Sequence, residues 1–300
     1  MTTAMRGAIS LGLTLFFGLV IASGVSAGPI YNFENSNTGQ IPVWNFGAAP
    51  GWDGWYTPPT NLVQGSGPAT VMPYTVLPSG DADPRGGDRF LALALQASTP
   101  GTSTVRAQHD FDFSQATEWS VTNDLGVVNL SSSGNSIGVN YIGRFSALST
   151  SFSSAYYQVL YGWDTGAFDS TWSSLYAVYD ANGNSLTLLP ASAWSGLLQE
   201  HWYSETTIFD EPTNRILLVS ITDLTTNSAT TVLPTDWYMY GGAGGHFSGN
   251  AIRFSGSGAN NGLLVDNVEL DPVPEPATLA LMGTGVGALI GVRRRRTRVR

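Results

Sequence analysis

Hydrolysis of a glycosidic bond requires two carboxylates flanking that bond. The 21 acidic residues between Gly28 and Asp271 contain no close-spaced Glu-x-Asp-x-x-Glu run. Glu200 adjoins His201 and His109 adjoins Asp110, but neighbours on a strand point to opposite faces. The three histidines, His109, His201 and His246, lack zinc-type spacing. Lysine is absent. That excludes the P-loop phosphate lysine, Schiff-base chemistry and Ser-Lys dyads. Gly241-Gly242-Ala243-Gly244-Gly245 lacks the strand-to-helix setting of a dinucleotide fingerprint. Ser255-Gly256-Ser257-Gly258 has Arg253 where a nucleophile elbow needs its first glycine. Asp180, Asn182 and Asn184 echo the first ligands of a calcium loop. Ser185 and Ala191 stand where that loop needs glycine and glutamate, so the stretch reads as a hairpin turn. No catalytic residue is assigned.

Aromatic side chains offer a different chemistry. Exposed rings stack on the apolar faces of sugars. Trp44, Trp52, Trp55 and Tyr56 fall together in a Pro- and Gly-rich segment with little periodicity, residues 37–79, read as long loops. These four are the candidate glycan-binding residues. Tryptophans in strand-like runs are assigned to the core.

The elements that must position these groups are short strands. Apolar residues make up 42% of the 300 residues, enough for a core, while only 12% are charged. Runs such as Arg89 to Leu95, Gly126 to Leu130, Ser136 to Ile142, His201 to Phe209, Ile216 to Thr222 and Leu263 to Leu270 alternate apolar with polar or small residues. No amphipathic helical pattern persists for three turns. Cysteine is absent, so no disulfide framework supports the fold. The stretch from Gly28 to Asp271 carries six arginines against 21 acids. Such a surface repels nucleic acid and anionic lipid.

The two ends differ from this middle. Arg6, the apolar run from Ile9 to Ala22 and the small residues Ser23 to Ala27 follow the order of a secretory signal peptide, with cleavage after Ala27. At the other end, Val273-Pro274-Glu275-Pro276 precedes an apolar run, Ala277 to Val292, and then Arg293-Arg294-Arg295-Arg296. Sixteen helical residues span about 24 Å, slightly short of a hydrocarbon core of about 30 Å. The arginines stay cytoplasmic by the positive-inside bias, which places the middle of the chain outside.

This C-terminal order of Pro-Glu-Pro, glycine-rich apolar helix and arginine cluster resembles the PEP-CTERM sorting signal. The resemblance implies recognition at Pro274, Glu275 and Pro276 by an exosortase-type membrane protease. It further implies a Gram-negative bacterium making extracellular polysaccharide, and an inner-membrane-held precursor that later reaches the surface or matrix.

A second resemblance concerns the middle. Phe33-Glu34 near its start and Leu264-Val265-Asp266-Asn267-Val268-Glu269-Leu270 at its end are similar to the pairing terminal strands of jelly-roll carbohydrate-binding and lectin-like domains. So is Gly87-Asp88-Arg89-Phe90-Leu91-Ala92-Leu93 to an early strand of theirs. The resemblance implies an all-β jelly-roll sandwich, concanavalin- or galactose-binding-like, flanked by a signal helix and a C-terminal transmembrane helix. It also implies a structural Ca2+ held by Glu34, Asp266 and Asn267. The expected organisation is a signal peptide at 1–27, an extracellular sandwich at 28–271 and a sorting tail at 272–300.

The expectation for function is an exported, exosortase-processed, non-enzymatic protein of the surface or extracellular matrix, with polysaccharide as its partner. Two alternatives remain open. One is a polysaccharide-active enzyme, hydrolase or lyase-like, whose acids meet only in the fold. The other is a structural surface component.

Overall fold

The computed structural model describes residues 30–34, 36, 38–41, 54–57, 66–73, 83–85, 87–93, 104–111, 113, 116–129, 136–143, 156–162, 171–188, 194–199, 201–239, 241–245, 251–257 and 261–273. The signal helix, the tail helix, Ala27, Trp44, Trp52 and Pro274-Glu275-Pro276 lie outside the described residues. No described helix is long and apolar enough to cross a membrane.

The described strands belong to the unit Pro29–Glu275. They are β1 (Ile30–Tyr31), β2 (Gly39–Gln40), β3 (Ser66–Pro68), β4 (Thr70–Pro73), β5 (Arg89–Leu93), β6 (Thr104–Asp110), β7 (Glu118–Asn129), β8 (Ser136–Gly143), β9 (Tyr156–Gly162), β10 (Thr171–Tyr179), β11 (Ser185–Leu188), β12 (Leu197–Leu198), β13 (Trp202–Asp210), β14 (Arg215–Asp223), β15 (Ser228–Val232), β16 (Ala251–Ser257) and β17 (Asn261–Pro272). One sheet runs β15-β14-β13-β7-β17-β5-β4-β2, with β1 beside β17. The second runs β11-β10-β9-β8-β16-β6-β3, with β12 beside β10. The pairing is antiparallel except between β3 and β6. The chain passes repeatedly from one sheet to the other, so the fold is an all-β sandwich of jelly-roll type, as expected.

Alternation explains why the sheets stack. Leu91, Leu93, Leu125, Val127, Leu263 and Val265 of the first sheet share one buried cluster with Val105, Ala107, Ile252 and Phe254 of the second. Each set occupies every second position of its strand, the period that puts residues on one face. Gly256 marks the close approach of the sheets: a Cβ there would meet Leu93 at 2.7 Å. Terminal strands pair as the resemblance implied, with Ile30 opposite Glu269 and Tyr31 opposite Val268.

Several segments differ from the sequence reading. Two short runs around Trp119 and Gly126 form the single strand β7, because Thr122, Asn123 and Asp124 continue the ladder between β13 and β17. β6 and β15 escape the pattern because their faces mix polar with apolar residues. In residues 237–239 Tyr238 makes two isolated bridges, with Tyr179 and with Arg215. The segment read as loops, 37–79, contributes β2, β3 and β4. Asp180 to Asn184 is the expected hairpin turn: the Asp180 carboxylate accepts the Asn182 and Asn184 N–H groups at 2.8 and 2.9 Å.

Candidate functional site

The site grows from a defect in β17. Leu263 and Val265 point into the core, and so do Val268 and Leu270. Two odd and two even positions share a face only if one extra residue is inserted between them. The ladder with β7 shifts there, between Asp266 and Glu269. Asn267 takes the left-handed conformation, φ 45°, which asparagine tolerates better than most residues. The bulge leaves Asp266 opposite Asp124, both on the face turned away from the core.

Like charges directly opposite each other destabilise a sheet, and both carboxylates are fully buried, at 0% exposure. The surrounding residues offset this. Arg85 donates through Nε to Asp124 Oδ2 at 2.9 Å and through Nη2 to Asp124 Oδ1 and, at 2.9 Å, to Ser204 Oγ of β13. The Asn267 side-chain nitrogen donates to Asp124 Oδ2 at 3.0 Å and to Asp83 Oδ2 at 3.1 Å. Asp266 Oδ1 accepts the Asn267 N–H at 2.8 Å. Asp83, at 2% exposure, accepts the Arg85 N–H at 2.8 Å.

Asp83 and Asp124 also lie within hydrogen-bonding reach of each other. Burial first, then the charge of Asp124, pushes the Asp83 carboxyl up to about 7. Below about pH 7 Asp83 therefore holds a proton beside Asp124. Two carboxyls sharing a proton are the arrangement of acid catalysts. Here, however, Phe90, Ala92, Trp202 and Leu264 form an apolar cluster on the same face, and the acids themselves are sealed. The cluster ties the 83–89 loop to the sheet.

Glu34 serves the same loop from the other side. Its Oε1 accepts the Arg89 N–H at 2.9 Å. Arg89 Nη1 in turn donates to the carbonyls of Glu34, at 3.1 Å, and of Ser36. A Cβ on Gly87 would lie 2.3 Å from the Glu34 carboxyl carbon. Gly87→Ala is therefore expected to displace Glu34, lose the bond to Arg89 and destabilise by about 1–2 kcal/mol. Urea unfolding would register this, and an unchanged midpoint would show that the loop relaxes without Glu34.

Of the three residues expected to hold calcium, Glu34 bonds the Arg89 N–H, Asp266 Oδ1 accepts the Asn267 N–H, and the Asn267 amide donates to Asp83 and Asp124. No group of three or more His, Asp or Glu among the described residues is placed to hold a metal ion.

The aromatic candidates divide. Trp55 is fully buried, between Phe33, Tyr31, His109 and Phe254. Tyr56 is 4% exposed and donates its hydroxyl to Asp110 at 2.8 Å. Both are core residues, which corrects their placement as glycan-stacking rings. A backbone bridge between Tyr56 and Gln108 draws this segment onto β6, so Trp55 enters the core cluster while Tyr56 is buried against Gln108 and Asp110 on the other face. Asp83, Arg85 and Asp124 were not singled out from sequence. The one available signal is the dense alternation of acid and arginine from Asp81 to Arg89.

With this geometry in hand, similarity to known proteins can be placed. Residues 272–296 match the PEP-CTERM protein-sorting motif. No curated protein sequence matches the chain. Among solved structures, the chain resembles the carbohydrate esterase vb_24B_21 from Shiga toxin-encoding bacteriophage phi24B. That likeness has 13% identity and a TM-score of 0.45, covering 83% of this chain and 99% of that one. A peanut lectin with a bound 9mer peptide is 10% identical, with a TM-score of 0.41 over 78% of this chain and 96% of that one. The PL-14 alginate lyase from Aplysia kurodai is 12% identical, with a TM-score of 0.39 over 64% of this chain and 86% of that one. Named as an esterase, a lectin and a lyase, these structures single out no activity here. The molecule is thus an all-β sandwich followed by a sorting motif. That motif marks the chain as an exported protein processed by an exosortase.

Proposed function

We propose that this chain is a non-enzymatic component of the cell surface or extracellular matrix that binds the polysaccharide of its own bacterium. One observation carries the reading: the sorting motif starts at residue 272, the last residue of β17. The sandwich is therefore the part delivered outward, and its acidic character suits open solvent outside the cell. Cleavage after Ala27 and at Pro274-Glu275-Pro276 completes the route, with the apolar tail holding the precursor in the inner membrane.

The sealed carboxyl pair supports binding over hydrolysis. A glycosidase needs its two acids open to a substrate and roughly 5 to 10 Å apart. Asp83 and Asp124 are both buried and both accept from the Asn267 amide, and Arg85 is committed to Asp124.

Retention of the detergent-solubilised full chain on a column of the exopolysaccharide from the producing bacterium tests the proposal. Retention without release of shortened glycans is the expected result. Free passage through the column overturns the binding reading, and steady release of oligosaccharides restores the enzyme. Alanines at Pro274, Glu275 and Pro276 are expected to leave the chain in the membrane fraction.

A further inference from the structure

Alternation should keep the inward face of β13, β14 and β15 apolar, and for most of its length it does: Phe209, Ile216, Val219 and Ile221 are buried in the core. At one end it does not. Asp223 stands opposite Tyr203, Ser228 opposite Asp223, and Thr230 opposite Ile221. These polar residues hold core-facing register positions at the edge of the first sheet. They line a cleft of about 240 Å³ together with Leu198, Tyr203 and Ile221.

The cleft is built, not merely left open. The Tyr203 hydroxyl accepts the Leu198 N–H at 2.8 Å and so fixes its wall. Asp223 Oδ1 accepts the N–H groups of Thr225 and Thr226 at 2.8 and 3.2 Å, while Oδ2 lies 3.1 Å from His201 Nδ1. Each carboxylate oxygen accepts about two bonds. Oδ1 is filled, and Oδ2 retains one acceptor position. The cleft thus combines one oriented carboxylate oxygen, the hydroxyls of Ser228 and Thr230, and apolar surface from Leu198, which is 41% exposed. Hydroxyls facing apolar patches match a ring with polar edges and C–H faces. The volume falls below the range of about 300–1,000 Å³ for drug-sized ligands, which limits the occupant to one ring.

We propose that this cleft binds a single neutral pyranose unit. One ring hydroxyl donates to Asp223 Oδ2, others meet Ser228 and Thr230, and a C–H face lies on Leu198. This rests on the polysaccharide-binding reading above and gives that reading a location.

Two separate readouts distinguish the two ideas. In the first, methyl hexopyranosides are titrated into the full chain in detergent and binding is followed by ligand-observed NMR. Wild type is expected to bind at least one of them. Asp223→Asn is expected to weaken it about tenfold, the effect of losing one charge-assisted bond. Thr230→Trp, which fills the cleft from an edge strand, is expected to abolish binding. Thr231→Trp, one residue along and on the opposite face, is expected to leave it intact. No pyranoside binding by wild type, or equal binding by Thr230→Trp, overturns the cleft. The second readout is retention on the exopolysaccharide column. A Thr230→Trp chain retained like wild type sinks the cleft but keeps the polysaccharide reading. Pyranoside binding without retention of wild type keeps the cleft and sinks that reading.

Discussion

Arg85→Ala is expected to lower the unfolding free energy by about 3 kcal/mol at pH 8. Breaking a buried ion pair by removing one partner costs about 3–5 kcal/mol, because the remaining charge is left in a medium that cannot solvate it. The lower end applies here. The Asp124 side chain is 0% exposed but that of Arg85 is 42% exposed, so water reaches part of the cation and screens its contribution. Arg85→Lys should recover only part of the loss: an ammonium cannot reproduce the fork that reaches Asp124 and Ser204 together. Urea unfolding followed by tryptophan fluorescence at pH 8 checks this. A change within about 0.5 kcal/mol at pH 8, the usual range of surface substitutions, would show that Asp124 is solvated instead of sealed.

Asp83→Asn is expected to act in the opposite direction and to remove a pH dependence. The Asp83 carboxyl ordinarily titrates near 3.8 and in the fold near 7. Between those values the folded chain holds a proton that the unfolded chain has lost. The stabilisation is therefore complete below about pH 4 and is lost as pH rises through 7. Each unit of difference corresponds to about 1.4 kcal/mol, so the wild type should lose up to roughly 4 kcal/mol between pH 4 and pH 8. Glu269 adds in the same sense, raised first by burial and then by the Asp271 carboxylate. Asparagine at position 83 stays neutral, keeps an oxygen for the Arg85 N–H and turns an N–H towards Asp124, giving up only the bond that Asp83 Oδ2 accepts from Asn267. The variant should be more stable than wild type at pH 8, with a flatter profile. An unchanged slope would mean that Asp83 is ionised throughout and that no proton joins the two acids.

Residues 261–272 show how far the sequence reaches. Leu263 and Val265 alternate at odd positions, Val268 and Leu270 at even ones. Read as one alternating run, the stretch shows its break only against β7, where the ladder shifts and the bulge sets Asp266 against Asp124. The sorting tail was legible because its parts are contiguous and each is defined by composition. The turn at Asp180 to Asn184 was legible because an Asx-type loop is closed by its own side chain.

Local pattern therefore determined the β class, the strands with clean alternation and the address at the C-terminus. Tertiary structure alone decided the rest. The acid cluster joins a loop at 83–85 to three strands, β7, β13 and β17, that are far apart in the chain. Trp55 sits in a segment with no periodicity, yet a bridge to β6 turns it inward. Solvation and partnership of a side chain depend on which segments pack over it, and that packing is set by long-range sheet pairing, which spacing along the chain does not encode.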